Sequence, residues 1–277
     1  MKKSIYYTMS IDFFIGGIAG IISRTIVAPI ELNRIQRQNY FIPDATLRDV
    51  YKKEGLRFLW KGNGVNCIRI FPQLSINYAV FRQSKYYLQN KIENKHGVNF
   101  LSGCIAGCIS ILMTYPLETT RTYMSLQTNK NKYNGICDAL RKIPVKQLYQ
   151  GSKMSLIGFG AFSGIQYAVY YHFNNLLKDT YFDSNLVCGG LAGIVSISIT
   201  YPSDLIRRRL QLQGFDKTVP RYNGIIDCCR KIFKYEGITG FYRGLSSTYL
   251  KTGPAVAVQF WVIETLNTYL KNEDIYI

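Results

Sequence analysis

Three stretches of the chain decide the fold: Ala28-Pro29-Ile30-Glu31-Leu32-Asn33-Arg34, Tyr115-Pro116-Leu117-Glu118-Thr119-Thr120-Arg121 and Tyr201-Pro202-Ser203-Asp204-Leu205-Ile206-Arg207. Their prolines stand 87 and 86 residues apart, and each is followed by an acid two residues on and an arginine five residues on. Self-similarity at a near-constant period marks a repeat architecture. A second element follows each first one: Glu54-Gly55 leads to Trp60-Lys61-Gly62, and Glu236-Gly237 leads to Tyr242-Arg243-Gly244. The middle copy keeps only Tyr149-Gln150-Gly151. Tyr133-Asn134-Gly135 and Tyr222-Asn223-Gly224 are shared by the middle and last copies.

Working outward, the runs Val98–Leu117, Met154–Leu177 and Ser184–Ser203 contain no Asp, Glu, Lys or Arg. Each is long enough to cross a hydrocarbon core of about 30 Å at about 1.5 Å per helical residue. Each repeat reads as a helix, a basic loop with a short amphipathic helix, and a second helix. The first helices are expected over 11–38, 98–127 and 183–213, the second over 67–91, 151–178 and 245–270. Repeat boundaries at 10–95, 96–180 and 181–272 divide one membrane domain that takes in the whole chain, 1–277. A proline inside a helix removes a hydrogen bond and bends the axis, so three bent spans are expected to converge at one end. Gly16 with Gly20, Gly103 with Gly107 and Gly189 with Gly193 offer small-xxx-small faces for close helix contact.

The net charge is +17, with 34 basic residues. Half of these fall in the regions 39–66, 128–153 and 214–246, between the apolar segments. That is the distribution of a multi-pass protein and argues against nucleic-acid binding. The seven cysteines and two histidines form no metal-ligand spacing, so neither metal nor cofactor is expected. No Ser/His/Asp or phosphate-loop constellation points to an enzyme. Lys2 and Lys3 precede only a short polar-aromatic stretch, so no cleavable signal is expected.

Charges just past the bends are costly at membrane depth unless paired. Threefold geometry pairs each acid with the base of a neighbouring repeat: Glu31 with Arg121, Glu118 with Arg207, and Asp204 with Arg34. Such a ring closes one end of a central cavity and can break. A second, weaker gate is expected late on the second helices, where the copies read Arg82 and Lys85, Tyr171 and Asn174, Glu264 and Asn267. Only Lys85 with Glu264 is ionic there.

The three proline motifs and the Trp/Tyr-base-Gly elements resemble the mitochondrial carrier family over about residues 10–270. The resemblance implies an all-α membrane protein of six transmembrane helices in three pseudo-symmetric repeats, working as a monomer in the inner membrane of a mitochondrion or related organelle. It implies a matrix gate at the six charges, braced by glutamines nine residues after the proline: Gln38 and Gln211 match, Ser125 does not. It also implies cardiolipin near Trp60, Lys61 and Gly62, near Tyr149 and Gly151, and near Tyr242, Arg243 and Gly244. The cytoplasmic gate falls on Lys85, Tyr171 and Glu264.

Departures from threefold symmetry point to the solute. Five residues before each proline stand Arg24, Ile111 and Ile197; at the matching level of the second helices stand Arg69, Gly158 and Lys251. Arg24, Arg69, Lys251 and Arg208 are candidate partners for phosphate, since guanidinium forks match phosphate oxygens. Gly158 leaves room for a flat ring, with Phe159 beside it. Asn77, Gln166 and Gln259 lie nearer the second gate and tune hydrogen bonding. Together with Ser23-Arg24-Thr25 and Arg207-Arg208-Arg209, these resemble carriers of adenine nucleotides, coenzyme A and phosphoadenosine compounds. The expected function is exchange of a small anionic nucleotide-like solute; a carboxylate or amino acid carrier of the same fold is the alternative. The roughly ten residues before the first helix leave no room for a calcium-binding extension, so calcium gating is not expected.

Overall fold

The computed structural model describes residues 2–38, 48, 51–52, 55–92, 94–127, 133–176, 184–213 and 220–273. Glu54 lies outside them, as does the side chain of Asn174. Its helices are α1 (Lys2–Ile26), α2 (Ala28–Gln38), α3 (Asn63–Leu88), α4 (Lys95–Leu126), α5 (Ile136–Lys142), α6 (Val145–Leu148), α7 (Ser152–Leu176), α8 (Ser184–Leu212), α9 (Ile225–Glu236) and α10 (Leu245–Glu273). Short 3-10 turns at Leu56–Trp60 and Thr239–Tyr242 precede α3 and α10. The first helix begins at Lys2, nine residues before the expected start, and α3 begins at Asn63, four before it.

Neighbour follows neighbour around a closed ring: α1 packs on α3, α3 on α4, α4 on α7, α7 on α8, α8 on α10 and α10 back on α1. By length and composition, Gly97–Leu126 is apolar enough to cross a membrane, and the bent pair Phe13–Ile26 with Ala28–Gln38 is a second candidate. Among the described residues, fewer helices pass that test than the charge-free runs led one to expect, because tyrosines, serines and glycines lower the hydropathy of the remainder. Apolar side chains such as Ile22, Met113, Ile157, Ile199, Leu250 and Trp261 nevertheless point outward and exposed.

The three prolines do not act alike. The helix continues through Pro116 and Pro202. At Pro29 the helix breaks at Val27, and α1 and α2 meet at 63°. The contacts beside the three prolines differ as well. Two residues before their prolines, Thr114 and Thr200 donate to the carbonyls of Ser110 (2.7 Å) and Ser196 (2.6 Å). One residue before them, Tyr115 and Tyr201 are buried and donate to the carbonyls of Gln150 (2.9 Å) and Arg243 (2.9 Å). Repeat one has Val27 and Ala28 at these places and can make none of these bonds. Pro29 lacks the N–H that the Thr25 carbonyl would otherwise accept; the Trp60 indole N–H reaches that carbonyl instead, at 2.8 Å. The Lys61 carbonyl, without a tyrosine in its own repeat, accepts from Ser125 Oγ at 3.2 Å. Ser125, the position where a bracing glutamine is missing, is thus occupied in tying two repeats together.

The aromatic-x-Gly elements lock the loops under the ring. Gly62, Gly151 and Gly244 have φ of 84°, 82° and 88°. Each faces the carbonyl of a ring arginine in a neighbouring repeat: a Cβ would lie 3.1 Å from Arg121 O, 2.8 Å from Arg207 O and 3.5 Å from Arg34 O respectively. Tyr149 and Tyr242 stack on Tyr115 and Tyr201 at centroid distances of 6.1 and 6.4 Å. Gly151→Ala combines left-handed strain with a backbone clash, and is expected to cost at least about 2 kcal/mol. Thermal unfolding of the purified protein in detergent checks this.

Below the ring, α5 and α9 cap the closed end. Each opens with the same turn: Asp138 accepts the Asn134 N–H (3.0 Å) and Lys142 (2.9 Å), and Asp227 accepts the Asn223 N–H (2.9 Å) and Lys231 (2.8 Å). The backbone bond first and then the lysine hold the Asp138 carboxyl below its ordinary range; at Asp227 the lysine leads. Apolar clusters around Tyr123, Ile143 and Leu212, and around Leu205, Tyr222 and Ile232, fill the space between these helices and the spans.

Of the glycine pairs, only Gly107 is in tight contact, with a Cβ position 2.2 Å from the Phe159 ring; Gly20 lies 3.5 Å from Ile70. Gly16, Gly103, Gly189 and Gly193 have nothing within 4 Å, which corrects the expectation of close packing at all three pairs. Gly17, not singled out from the sequence, lies against Phe71.

Candidate functional site

An acid and a base three residues apart on one helix share a face, so each proline motif presents both charges to the axis. Arg121 Nη2 lies 3.4 Å from Glu31 Oε1, Arg207 Nη1 lies 2.7 Å from Glu118 Oε1, and Arg34 pairs with Asp204. Contacts within motifs join these into one network: Arg34 to Glu31 at 3.6 Å and Arg207 to Asp204 at 2.7 Å. The glutamines differ. Gln38 Nε2 donates to Asp204 at 3.2 Å and to Tyr201 Oη at 3.1 Å. Gln211 Oε1 instead accepts from Arg208 at 3.2 Å.

Above the ring lies a cavity of about 520 Å³ lined by Arg24, Asn66, Arg69, Asn77, Lys251 and Gln259, with Glu31 and Arg121 at its floor. Sequence reasoning placed five of these residues in the solute site. It did not find Asn66, a buried amide that accepts from Arg24 Nη1 at 3.1 Å. Nor did it find that two of the cavity cations are also bonded to ring acids. Lys251 Nζ lies 2.5 Å from Glu31 Oε2, and Arg69 Nη1 lies 3.2 Å from Glu118 Oε2. A count of charges carried the signal: three ring acids face three ring bases plus these additional cations.

Gly158 and Phe159 line a second cavity of about 250 Å³, with Ile111, Phe162 and Ile197. A Cβ at Gly158 would fall 2.6 Å from Ser203 Oγ, so close approach of α7 to α8 is itself a reason for glycine there. The Phe159 ring covers Gly107 as well as facing the cavity. Gln166 lines a third cavity, of about 460 Å³, which has Phe159 in its wall as the second does.

Arg208 requires a correction. It is 2 % exposed and donates to Thr122 Oγ1 at 2.5 Å and to Gln211, lining none of these cavities. Successive helical residues turn by about 100°: Arg207 faces the axis, Arg208 faces α4, and Arg209 turns to Glu236, with Nη2 at 2.7 Å from Oε2. Arg208→Met is expected to lower thermal stability while leaving the KM for exchanged nucleotide within about twofold, since the lost bonds are structural ones.

The far end is open. Lys85 Nζ lies 5.8 Å from the Phe81 ring centroid, and Tyr171 and Glu264 are exposed. Among the described residues no ion pair joins Lys85 to Glu264, contrary to the expected contact. The ring is closed in this conformation, while the gate residues at the opposite end are not joined by an ion pair among the described residues.

Comparison with known proteins agrees with this geometry. A sequence profile of the family described as "Mitochondrial carrier protein" matches residues 6–92, 93–181 and 178–274. The chain is 31% identical to the mitochondrial adenine nucleotide transporter ADNT1 of Arabidopsis thaliana, over 94% of this chain and 86% of that protein. It is 32% identical to the mitochondrial adenyl nucleotide antiporter SLC25A24 of Homo sapiens, over 92% of this chain and 57% of that one. It is 30% identical to solute carrier family 25 member 16 of Homo sapiens, over 97% and 90%. The threefold ring, the closed set of six long helices and these matches together make the chain a member of the mitochondrial carrier family.

Proposed function

We propose that this carrier exchanges anionic nucleotide-type metabolites, such as ADP, ATP, coenzyme A or related adenine nucleotides, across the inner membrane of a mitochondrion or related organelle, by alternating access. The observation that carries the reading is the double engagement of Lys251 and Arg69: both line the cavity, and both are bonded to ring acids. A polyanion entering the cavity competes with Glu31 and Glu118 for these cations. Arg24, bonded there to the neutral Asn66, can meet a phosphate without breaking an ion pair. Each phosphate that takes Lys251 or Arg69 removes one contact from the closed end. The solute therefore favours the state with a broken ring, and only a difference in affinity between two states can shift them. Without a solute the same cations reinforce closure, which yields exchange rather than a pore.

The relatives' names, adenine nucleotide transporter and adenyl nucleotide antiporter, support the substrate class. The chain works as a monomer and a transporter, not an enzyme. Cardiolipin sits by the Trp60, Tyr149 and Tyr242 elements. The test is counter-exchange in cardiolipin-containing liposomes. ADP-loaded vesicles are expected to take up labelled ADP, and empty vesicles are not. Uptake of carboxylates or amino acids with no nucleotide exchange would overturn the reading in favour of a different solute on the same fold.

A further inference from the structure

The first repeat departs from the other two at one depth on both of its helices. Four residues after the locking glycines Gly62, Gly151 and Gly244 stand Asn66, Ser155 and Thr248. Their backbone N–H groups donate to those glycine carbonyls at 3.4, 3.0 and 3.3 Å, so the three side chains leave the first turn of their helices at equivalent places. All three are buried. Five residues before the prolines stand Arg24, Ile111 and Ile197. In repeats two and three a short hydroxyl thus accompanies an isoleucine, and these four residues line the 250 Å³ cavity. In repeat one an amide accompanies an arginine, both line the 520 Å³ cavity, and Arg24 Nη1 donates to Asn66 Oδ1 at 3.1 Å.

This bond stands apart from the ring. Among the described residues no ion pair joins Arg24 to an acid, whereas Lys251 and Arg69 hold Glu31 and Glu118. The end of α1 is also clamped to the start of α3 beside Arg24: Asn63 Nδ2 donates to Thr25 Oγ1 at 3.0 Å, and the Trp60 indole holds the Thr25 carbonyl. All these contacts fall on the α1 side of the joint at Val27. An amide oxygen that takes one guanidinium N–H leaves the other donors of the fork for phosphate. A carboxylate in its place would have to be displaced by every solute.

We propose that Asn66 is a positioning residue that aims Arg24 into the cavity without opposing its charge. The pair is an affinity anchor, distinct from Lys251 and Arg69, whose ring bonds couple binding to opening. Because the clamp lies on the cavity side of the joint, α2 can move with the ring while Arg24 keeps its place and partner. A contact made alike in both states tightens binding and shifts no equilibrium. This rests on the anionic-solute reading above and adds a division of labour to it.

The experiment uses the full chain in cardiolipin-containing liposomes, with labelled ADP and labelled malate as probes. The variants are Asn66→Ala, Arg24→Ala and the two combined. Asn66→Ala is expected to raise the KM for ADP about tenfold with Vmax within about twofold, the mark of lost uniform binding. Arg24→Ala raises KM by itself; adding Asn66→Ala to it is expected to change KM by less than about twofold, since no guanidinium is left to aim. Asn66→Ser installs the side chain of the second repeat and is expected to match Asn66→Ala. It carries the same cycle if thermal unfolding shows the alanine variant to be misfolded. A fall in Vmax at unchanged KM would overturn the proposal by placing Asn66 in the gate. Equal KM effects of Asn66→Ala with and without Arg24 would overturn it too, by giving Asn66 a role independent of Arg24. Exchange of malate without ADP overturns the nucleotide reading alone, and the same cycle read on malate then decides the role of Asn66.

Discussion

Replacing Arg69 by alanine is expected to lower nucleotide counter-exchange by at least about a hundredfold while leaving a folded protein, because a charge-assisted bond to phosphate is among the strongest polar contacts available. Arg69 lines the cavity and lies 3.2 Å from Glu118 Oε2. Its loss removes a phosphate partner and the means by which a phosphate loosens the ring on that side. Glu118 keeps Arg207 at 2.7 Å, so the acid is not left unpaired and stability changes little. Arg69→Lys keeps the charge but not the planar fork, and is expected to restore only part of the rate. Initial uptake rates in liposomes, with thermal unfolding as the folding control, check both variants. Undiminished uptake by Arg69→Ala would remove Arg69 from the site.

The second large effect falls on Glu31. Three cations converge on this buried carboxylate: Lys251 at 2.5 Å, Arg121 at 3.4 Å and Arg34 at 3.6 Å. Glu31→Gln leaves Lys251 and Arg121 without this counter-charge, while Arg34 keeps Asp204. Breaking a buried pair by removing one partner costs about 3–5 kcal/mol. A large fall in thermal stability and loss of exchange are expected together. Adding Lys251→Met removes one of the stranded cations and is expected to recover part of the stability but none of the transport. A double-mutant cycle on thermal unfolding measures that coupling. Additive losses would show that Lys251 and Glu31 do not interact.

The parts of the molecule legible in the sequence are those fixed by a repeated spacing. Proline, acid and base recur three times, so the register of Glu31, Glu118 and Asp204 against Arg121, Arg207 and Arg34 follows from helix geometry alone. The positions of Arg24, Asn77, Lys251 and Gln259 around one cavity follow in the same way. What was not legible depends on rotation about a single helix or on contacts between repeats. Arg207, Arg208 and Arg209 are chemically alike, and only the packing of α8 against α4 and α9 shows which one reaches the axis. Gly158 looked like space for a ring, yet Ser203 comes close enough to require glycine by itself. The break at Val27 goes with Val27 and Ala28 where the other repeats have threonine and tyrosine. Their role becomes visible only when Thr114, Tyr115, Thr200 and Tyr201 are seen making their bonds.

That break makes the first repeat mechanically unlike the others. In α4 and α8 the cavity wall and the ring charges ride on one continuous rod, so tilting the upper part displaces the lower part with it. In the first repeat a joint at Val27 separates Arg24 from Glu31, Arg34 and Gln38. A force applied at Arg24 does not pass down one continuous helix beyond that elbow. It reaches the lower lever by a detour through α10, where Lys251 grips Glu31. An iris with one articulated blade does not dilate evenly: α2 is the segment that can swing aside while its two partners must lean as whole columns.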